Sequence, residues 1–97
     1  MKQIKKYDQV FSKVMEKFPF EGYLNSYCYH QLKSILEALE LFLPKFDGLK
    51  LLDVGSGPMD KTAVLQEMGF KCCAVDDLGD PWHKLEGNSK AILNFAK

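Results

Sequence analysis

The sequence predicts an α/β fold in which N-terminal helices precede the first strand, helix, strand and helix of a doubly wound parallel sheet. Two observations support this prediction. Apolar residues recur at helical spacing through the first half of the chain, whereas the second half contains two short apolar runs, 49–54 and 71–75, separated by a helix-length segment. We therefore divide the 97 residues into an N-terminal helical region, 1–48, and a partial sheet region, 49–97.

Two amphipathic helices are predicted in the N-terminal region. The first has an apolar stripe with three- and four-residue steps and ends at Pro19. Its stripe consists of Ile4, Tyr7, Phe11, Val14 and Phe18. The second is predicted over about 26–42 and ends before Pro44. Its stripe consists of Leu32, Ile35, Leu36, Leu39 and Leu43.

The sheet region changes to the pattern of buried parallel strands, which are nearly continuous apolar runs. A helix is predicted over about 59–68 between the two runs, with Gly69 at the position of a C-terminal cap. Asp60 is predicted to cap the start of this helix. A polar loop, 76–87, then leads to a last helix indicated by Ala91, Ile92 and Phe95.

Composition limits the partners that we expect. Thirteen lysines balance thirteen acidic residues, and arginine is absent, so nucleic acid is the least favoured partner. No apolar run is long enough to cross a membrane. Cys28, Cys72 and Cys73 lack metal-site spacing and are predicted to be small buried side chains in a reducing cytoplasm.

The segment Leu51–Pro58 carries the strongest functional signal. Gly55 and Gly57 directly follow a strand, where glycine lets the backbone approach a ligand closely and turn into a helix. Unpaired N–H groups at the start of that helix can face a polar ligand. A P-loop is excluded because no Gly-Lys-Ser/Thr follows.

This segment resembles motif I of class I, Rossmann-like, S-adenosylmethionine (SAM)-dependent methyltransferases. That family places an acidic residue two positions before the first glycine of a Gly-x-Gly-x-Gly loop. Asp53, Gly55 and Gly57 match, and Met59 stands in place of the third glycine. The resemblance implies that Asp53, Gly55, Ser56 and Gly57 line the pocket for the methionine end of SAM. Asp53 would hold the ammonium group directly or through water.

A second match lies at the end of the second predicted strand. The family has an acidic residue there that accepts hydrogen bonds from both ribose hydroxyls, and Asp76 matches it, with Asp77 as the alternative. The family usually places an apolar residue next, against the adenine. Since Asp77 follows Asp76, Leu78 becomes the candidate for that contact.

Other interpretations are less favoured. A nicotinamide dinucleotide fold would need a third glycine at residue 60, which is Asp60. A metal site formed by Asp76, Asp77, Asp80 and His83 competes with a solvated loop that contains one ribose-binding aspartate, and we favour the loop. Tyr23, Tyr27 and Tyr29 could cover an active site, but core packing is the preferred prediction for them.

The sequence therefore predicts the N-terminal, SAM-binding portion of a methyltransferase. A full doubly wound sheet needs more strands, so we expect an incomplete chain that transfers no methyl groups alone, and catalytic residues are not predicted. The sequence does not identify the methyl acceptor, and a small molecule is favoured over nucleic acid. The alternative is a non-catalytic α/β module that binds a partner, or a second copy, through its open sheet edge.

Overall fold

The computed structural model describes residues 3–77 and 88–96, which form a small α/β fold. A 3₁₀ turn at Ile4–Lys6 precedes α1 (Tyr7–Lys17), α2 (Ser26–Glu40), β1 (Lys50–Val54), α3 (Asp60–Glu67), β2 (Lys71–Val75) and α4 (Asn88–Ala96). In the described ranges the strands form one two-stranded parallel sheet, accompanied by four α-helices. No helix in these ranges is long and apolar enough to span a membrane.

Helix α1 has the predicted apolar stripe. Tyr7, Phe11 and Val14 are buried, one helical turn apart along the face that contacts the core. Phe18 ends the helix with an extended backbone, at φ −70° and ψ 128°. This conformation is expected because the ring of Pro19 disfavours a helical residue before it.

Helix α2 begins at an Asn cap. The Asn25 side chain accepts a hydrogen bond of 2.9 Å from the backbone N–H of Cys28, one of the donors left without a partner at a helix start. Leu32 and Leu36 on its stripe are buried, as predicted. The prediction for Ile35 was wrong, since this side chain is 44% exposed and lies at the margin of the apolar stripe.

The two strands have one covered face and one open face. Val54 is opposite Val75 in the parallel register, and Leu51 is opposite Cys72 on the face that packs against the core. On the other face Leu52 and Val54 are largely exposed. The prediction of strands buried on both sides was therefore wrong for this face in the described part of the chain.

Gly69 lies just past the end of helix α3, at the position predicted for a C-terminal cap. The Gly69 N–H donates to the Gln66 carbonyl over 3.0 Å, and the next N–H, of Phe70, donates to the Leu65 carbonyl over 3.2 Å. Gly69 has φ +113°, a value that L side chains rarely adopt, so glycine suits this position. Its carbonyl accepts from the Gly48 N–H over 2.8 Å, which ties the helix end to the turn before β1.

A single hydrophobic core joins the two predicted regions. Its most deeply buried side chains are Tyr7, Leu32, Leu36, Phe46, Val64 and Met68. Phe46, in the turn before β1, stacks on Phe70 with ring centroids 5.0 Å apart. The N-terminal helices and the sheet region thus bury their apolar faces against each other.

Burial of Tyr7 predicts a loss of stability at alkaline pH. The Tyr7 hydroxyl donates to the Tyr29 carbonyl over 2.7 Å. Burial is the main cause of a Tyr7 pKa far above the usual value, and the nearby Cys28, Tyr29 and Asp8 raise it further. The resulting stability is fully present below about pH 10, where an unfolded tyrosine is neutral, and decreases as the pH rises beyond it.

Tyr7→Phe should therefore flatten the pH dependence of the free energy of unfolding above about pH 10. Tyr27→Phe is the control, because Tyr27 is 76% exposed. Urea unfolding across alkaline pH measures the difference. Parallel pH profiles for the wild type and Tyr7→Phe would contradict the assignment.

The three cysteines are free thiols in different surroundings. Cys28 is buried and Cys72 is half-buried, and burial raises the pKa of both thiols. Cys73 is exposed, so the prediction that it is buried was wrong. Neighbouring residues on a strand point to opposite faces, and Cys73 lies on the open face of β2.

Candidate functional site

A polar cleft lies at the carboxyl ends of the two parallel strands. Since Val54 is paired with Val75, the residues that follow each strand come together at the same edge. Ligand sites of open α/β sheets occur at this edge. The cleft has a volume of about 550 Å³. It is lined by Tyr23, Gly55, Ser56, Gly57, Pro58, Asp60, Lys61, Asp76 and Asp77.

The glycine loop is tied to the end of β2 by backbone hydrogen bonds. The N–H groups of Gly55 and Ser56 both donate to the Val75 carbonyl, over 2.7 and 3.1 Å. Gly55 has φ +71°, and a Cβ there would meet no atom within 4 Å. Backbone conformation, and not lack of space, therefore requires glycine at this position.

Asp76 connects the loop to the second strand. Its carboxylate accepts a hydrogen bond of 2.7 Å from the backbone N–H of Gly57. A carboxylate has about four lone-pair sites, so it can accept from further donors while holding this one. The structure therefore brings five of the predicted cofactor residues into one cleft: Gly55, Ser56, Gly57, Asp76 and Asp77.

Asp53 occupies a different position. It lies on the covered face of β1, where its carboxylate accepts a hydrogen bond of 2.6 Å from the Thr62 hydroxyl on α3. It is not among the described residues that line the cleft. Burial is the main cause of the raised pKa of Cys72 on the neighbouring strand, and the negative charge of Asp53 raises it further. Asp53 thus links the end of β1 to α3.

The start of α3 differs from the predicted cap. Met59 is the residue before the helix, and it has a left-handed backbone with φ 65° and ψ 33° and no side-chain capping bond. This is the position of the usual third glycine, and methionine takes a conformation that costs an L residue about 1–2 kcal/mol. The prediction that Asp60 caps the helix was wrong, because Asp60 is its first residue.

Asp60 and Lys61 are cleft residues that the sequence analysis did not assign to a ligand. Asp60 is buried, its carboxylate lies 3.8 Å from the Lys61 ammonium, and the Cys28 thiol lies 3.9 Å from the same carboxylate oxygen. Burial, followed by the Asp60 charge, raises the pKa of Cys28. The thiol beneath the cleft therefore stays protonated, which does not suit a nucleophile.

The three N-terminal tyrosines have three different environments. Tyr23 lines the cleft, and Tyr29 packs on the Tyr7 ring at 5.1 Å. Tyr27 is 76% exposed, so the prediction of core packing was wrong for it. Tyr23 precedes the Asn25 cap of α2, and no local pattern in the sequence distinguishes a connector residue that faces a cleft from one that packs inward.

Several predicted residues lie outside the described ranges: Leu78, Asp80 and His83. Within 3–77 and 88–96, no three His, Cys, Asp or Glu side chains are placed to hold a metal ion.

Comparison of the chain with protein-family models, with curated proteins and with solved structures gave no match.

Proposed function

We propose that the polar cleft binds SAM and that the chain carries the cofactor-binding part of a Rossmann-like methyltransferase. The observation that supports this most directly is the hydrogen bond between the Gly57 N–H and the Asp76 carboxylate. It joins the two segments that carry the resemblance, the glycine loop and the acidic residue after β2. Each comes from its own strand end, and both line the same cleft.

The chemistry of the lining fits the two polar parts of SAM. The Asp76 carboxylate can accept from the vicinal ribose hydroxyls. The loop 55–57 borders the cleft with glycine backbone, which leaves space for the methionine end. Asp53 bonds Thr62 and does not line the cleft, so a bridging water suits its proposed interaction with the ammonium group better than direct contact.

The start of α3 favours SAM over a nicotinamide dinucleotide. A dinucleotide fold uses a third glycine for close packing of this helix on the strand. Here residue 60 is a buried aspartate beside Cys28 and Lys61. The Asp60 carboxylate thus occupies the space that the third glycine of a dinucleotide fold leaves open.

Bound SAM would supply a methyl group for in-line displacement, in which the acceptor atom attacks the methyl carbon and the electron pair of the broken bond passes to sulfur. Such chemistry needs mainly alignment from the protein. Asp76 and the loop 55–57 would fix the cofactor for that step. We propose a small-molecule methyl acceptor in preference to nucleic acid, since the chain has no arginine for bidentate contacts to phosphates or bases.

Calorimetric titration tests the proposal. SAM or its demethylated product should bind more tightly than NAD. Asp76→Ala should weaken SAM binding by about 1–3 kcal/mol, the scale of charge-assisted hydrogen bonds. Asp76→Asn should fall between Asp76→Ala and the wild type, because its amide oxygen can still accept from the Gly57 N–H. Glu37→Ala, an exposed carboxylate on α2, is the control and should leave binding unchanged.

Equal SAM affinity in Asp76→Ala and Glu37→Ala, or tighter binding of NAD, would contradict the proposal. The second candidate function is a non-catalytic module that binds a partner through its open sheet edge, and one observation on the adjoining open face favours it. Leu52, Val54 and Val75 are 62%, 73% and 50% exposed on the open face, and apolar strand surfaces of this kind attract partners. Failure of SAM binding together with concentration-dependent light scattering would support that function.

A further inference from the structure

A second, less polar groove lies on the covered side of the sheet. It has a volume of about 570 Å³ and shares no described lining residue with the polar cleft. Residues of α1, α3, β2 and α4 form its walls. The apolar ones include Val14, Phe18, Ala63, Cys72, Ala74 and Phe95. Small-molecule sites of 300–1,000 Å³ with mainly apolar walls are typical of proteins.

The walls and length of the groove suit a flexible alkyl chain. Phe18 and Phe95 meet edge to face, with ring centroids 5.2 Å apart, and form an aromatic wall at one side. Along α3 the lining extends from Thr62 to Glu67, about 7.5 Å at the helical rise per residue, and it continues to Met59 just before the helix. The small side chains of Ala63 and Ala74 leave room between the helix and the strand.

The charges at the rim favour an anionic head group. Lys13 and Lys17 lie one turn apart on α1, and both border the groove. The Lys13 ammonium is 3.6 Å from the Glu67 carboxylate across the groove. Lys17 forms no ion pair within the described ranges, so it offers an ammonium group at the mouth of an apolar space.

We propose that this groove binds a free medium-chain fatty acid, with the alkyl chain along α3 and the carboxylate on Lys17. The Asp53 carboxylate accepts a hydrogen bond from Thr62, which lines the groove, and its negative charge disfavours an anion at that end. The head group therefore sits at the rim and the chain points inward. This inference does not rest on SAM binding in the polar cleft.

Calorimetric titration with decanoate, compared with decyltrimethylammonium, tests the proposal. The two probes share an alkyl chain and differ in the sign of the head group. Decanoate should bind at one saturable site and more tightly than the cation. Lys17→Gln should weaken decanoate binding by about three- to fivefold, the scale of an exposed ion pair, and should not weaken binding of decyltrimethylammonium.

Two further variants separate the groove from nonspecific binding. Lys5→Gln removes an exposed lysine that does not line the groove, and decanoate binding should be unchanged. Ala63→Leu partly fills the groove and should weaken binding of both probes, with circular dichroism confirming that the variant folds. Asp76→Ala should bind decanoate as the wild type does, whatever it does to SAM.

Equal affinities for decanoate and decyltrimethylammonium would overturn the proposal, as would equal decanoate affinities in Lys17→Gln and Lys5→Gln. Unchanged binding in a folded Ala63→Leu variant would place the alkyl chain elsewhere and would also overturn it.

Discussion

Replacing Gly69 by alanine is expected to lower the free energy of unfolding by about 2–5 kcal/mol, the sum of backbone strain and overpacking. At φ +113° any L side chain is strained. An added Cβ would also lie 2.9 Å from Asp47 Oδ1 and 3.1 Å from Asp47 Cα. The second contact is with backbone, so the turn before β1 would have to move.

Gly22→Ala is the matched control. Gly22 also has a positive φ, +85°, but a Cβ there meets no atom within 4 Å. This variant should lower the free energy of unfolding by about 1 kcal/mol, from backbone strain alone. Urea denaturation of both variants measures the difference. Equal losses would show that the close approach of Asp47 to Gly69 does not contribute to stability.

A large effect is also expected from Leu36→Ala, which should lower the free energy of unfolding by about 2–5 kcal/mol. Leu36 is 0% exposed, and its truncation leaves a cavity in the centre of the core. Packed neighbours relax only partly around such a cavity, so lost dispersion contacts add to the lost burial.

Ile35→Ala provides the comparison on the same helix. Ile35 is 44% exposed, so this variant should lower the free energy of unfolding by no more than about 1 kcal/mol. The two substitutions remove side chains of similar size from adjacent positions, and burial is what distinguishes them. Similar losses in thermal or urea unfolding would contradict the position of α2 in the core.

The order of helices and strands could be predicted because local signals at each boundary agree. Pro19 follows α1 and Gly69 follows α3, as predicted. The run 71–75 matches β2 in both bounds. The proline and glycine signals depend on the backbone chemistry of a single residue, and the strand signal depends on a short apolar run, so both can be recognised without the tertiary fold.

Features that depend on tertiary packing were harder to predict from the sequence. Helical spacing placed Ile35 and Leu36 on one stripe, but only the packed structure decides which of the two is covered. Asp60 has the composition of a cap, but the left-handed Met59 moves the helix start by one residue. Within the site, Asp53 matched the motif by position, whereas its side chain lies against Thr62.

The hydrogen bond between Gly57 and Asp76 has a consequence for any polar ligand of the cleft. It joins the glycine loop to the end of the second strand in the folded chain, so a ligand of the cleft would meet a loop that is already in place. Ordering a loop at the moment of binding consumes part of the contact energy. Because the loop is already ordered in this folded chain, a ligand would not have to order it on binding. The contacts between ligand and loop would then contribute more fully to the binding free energy.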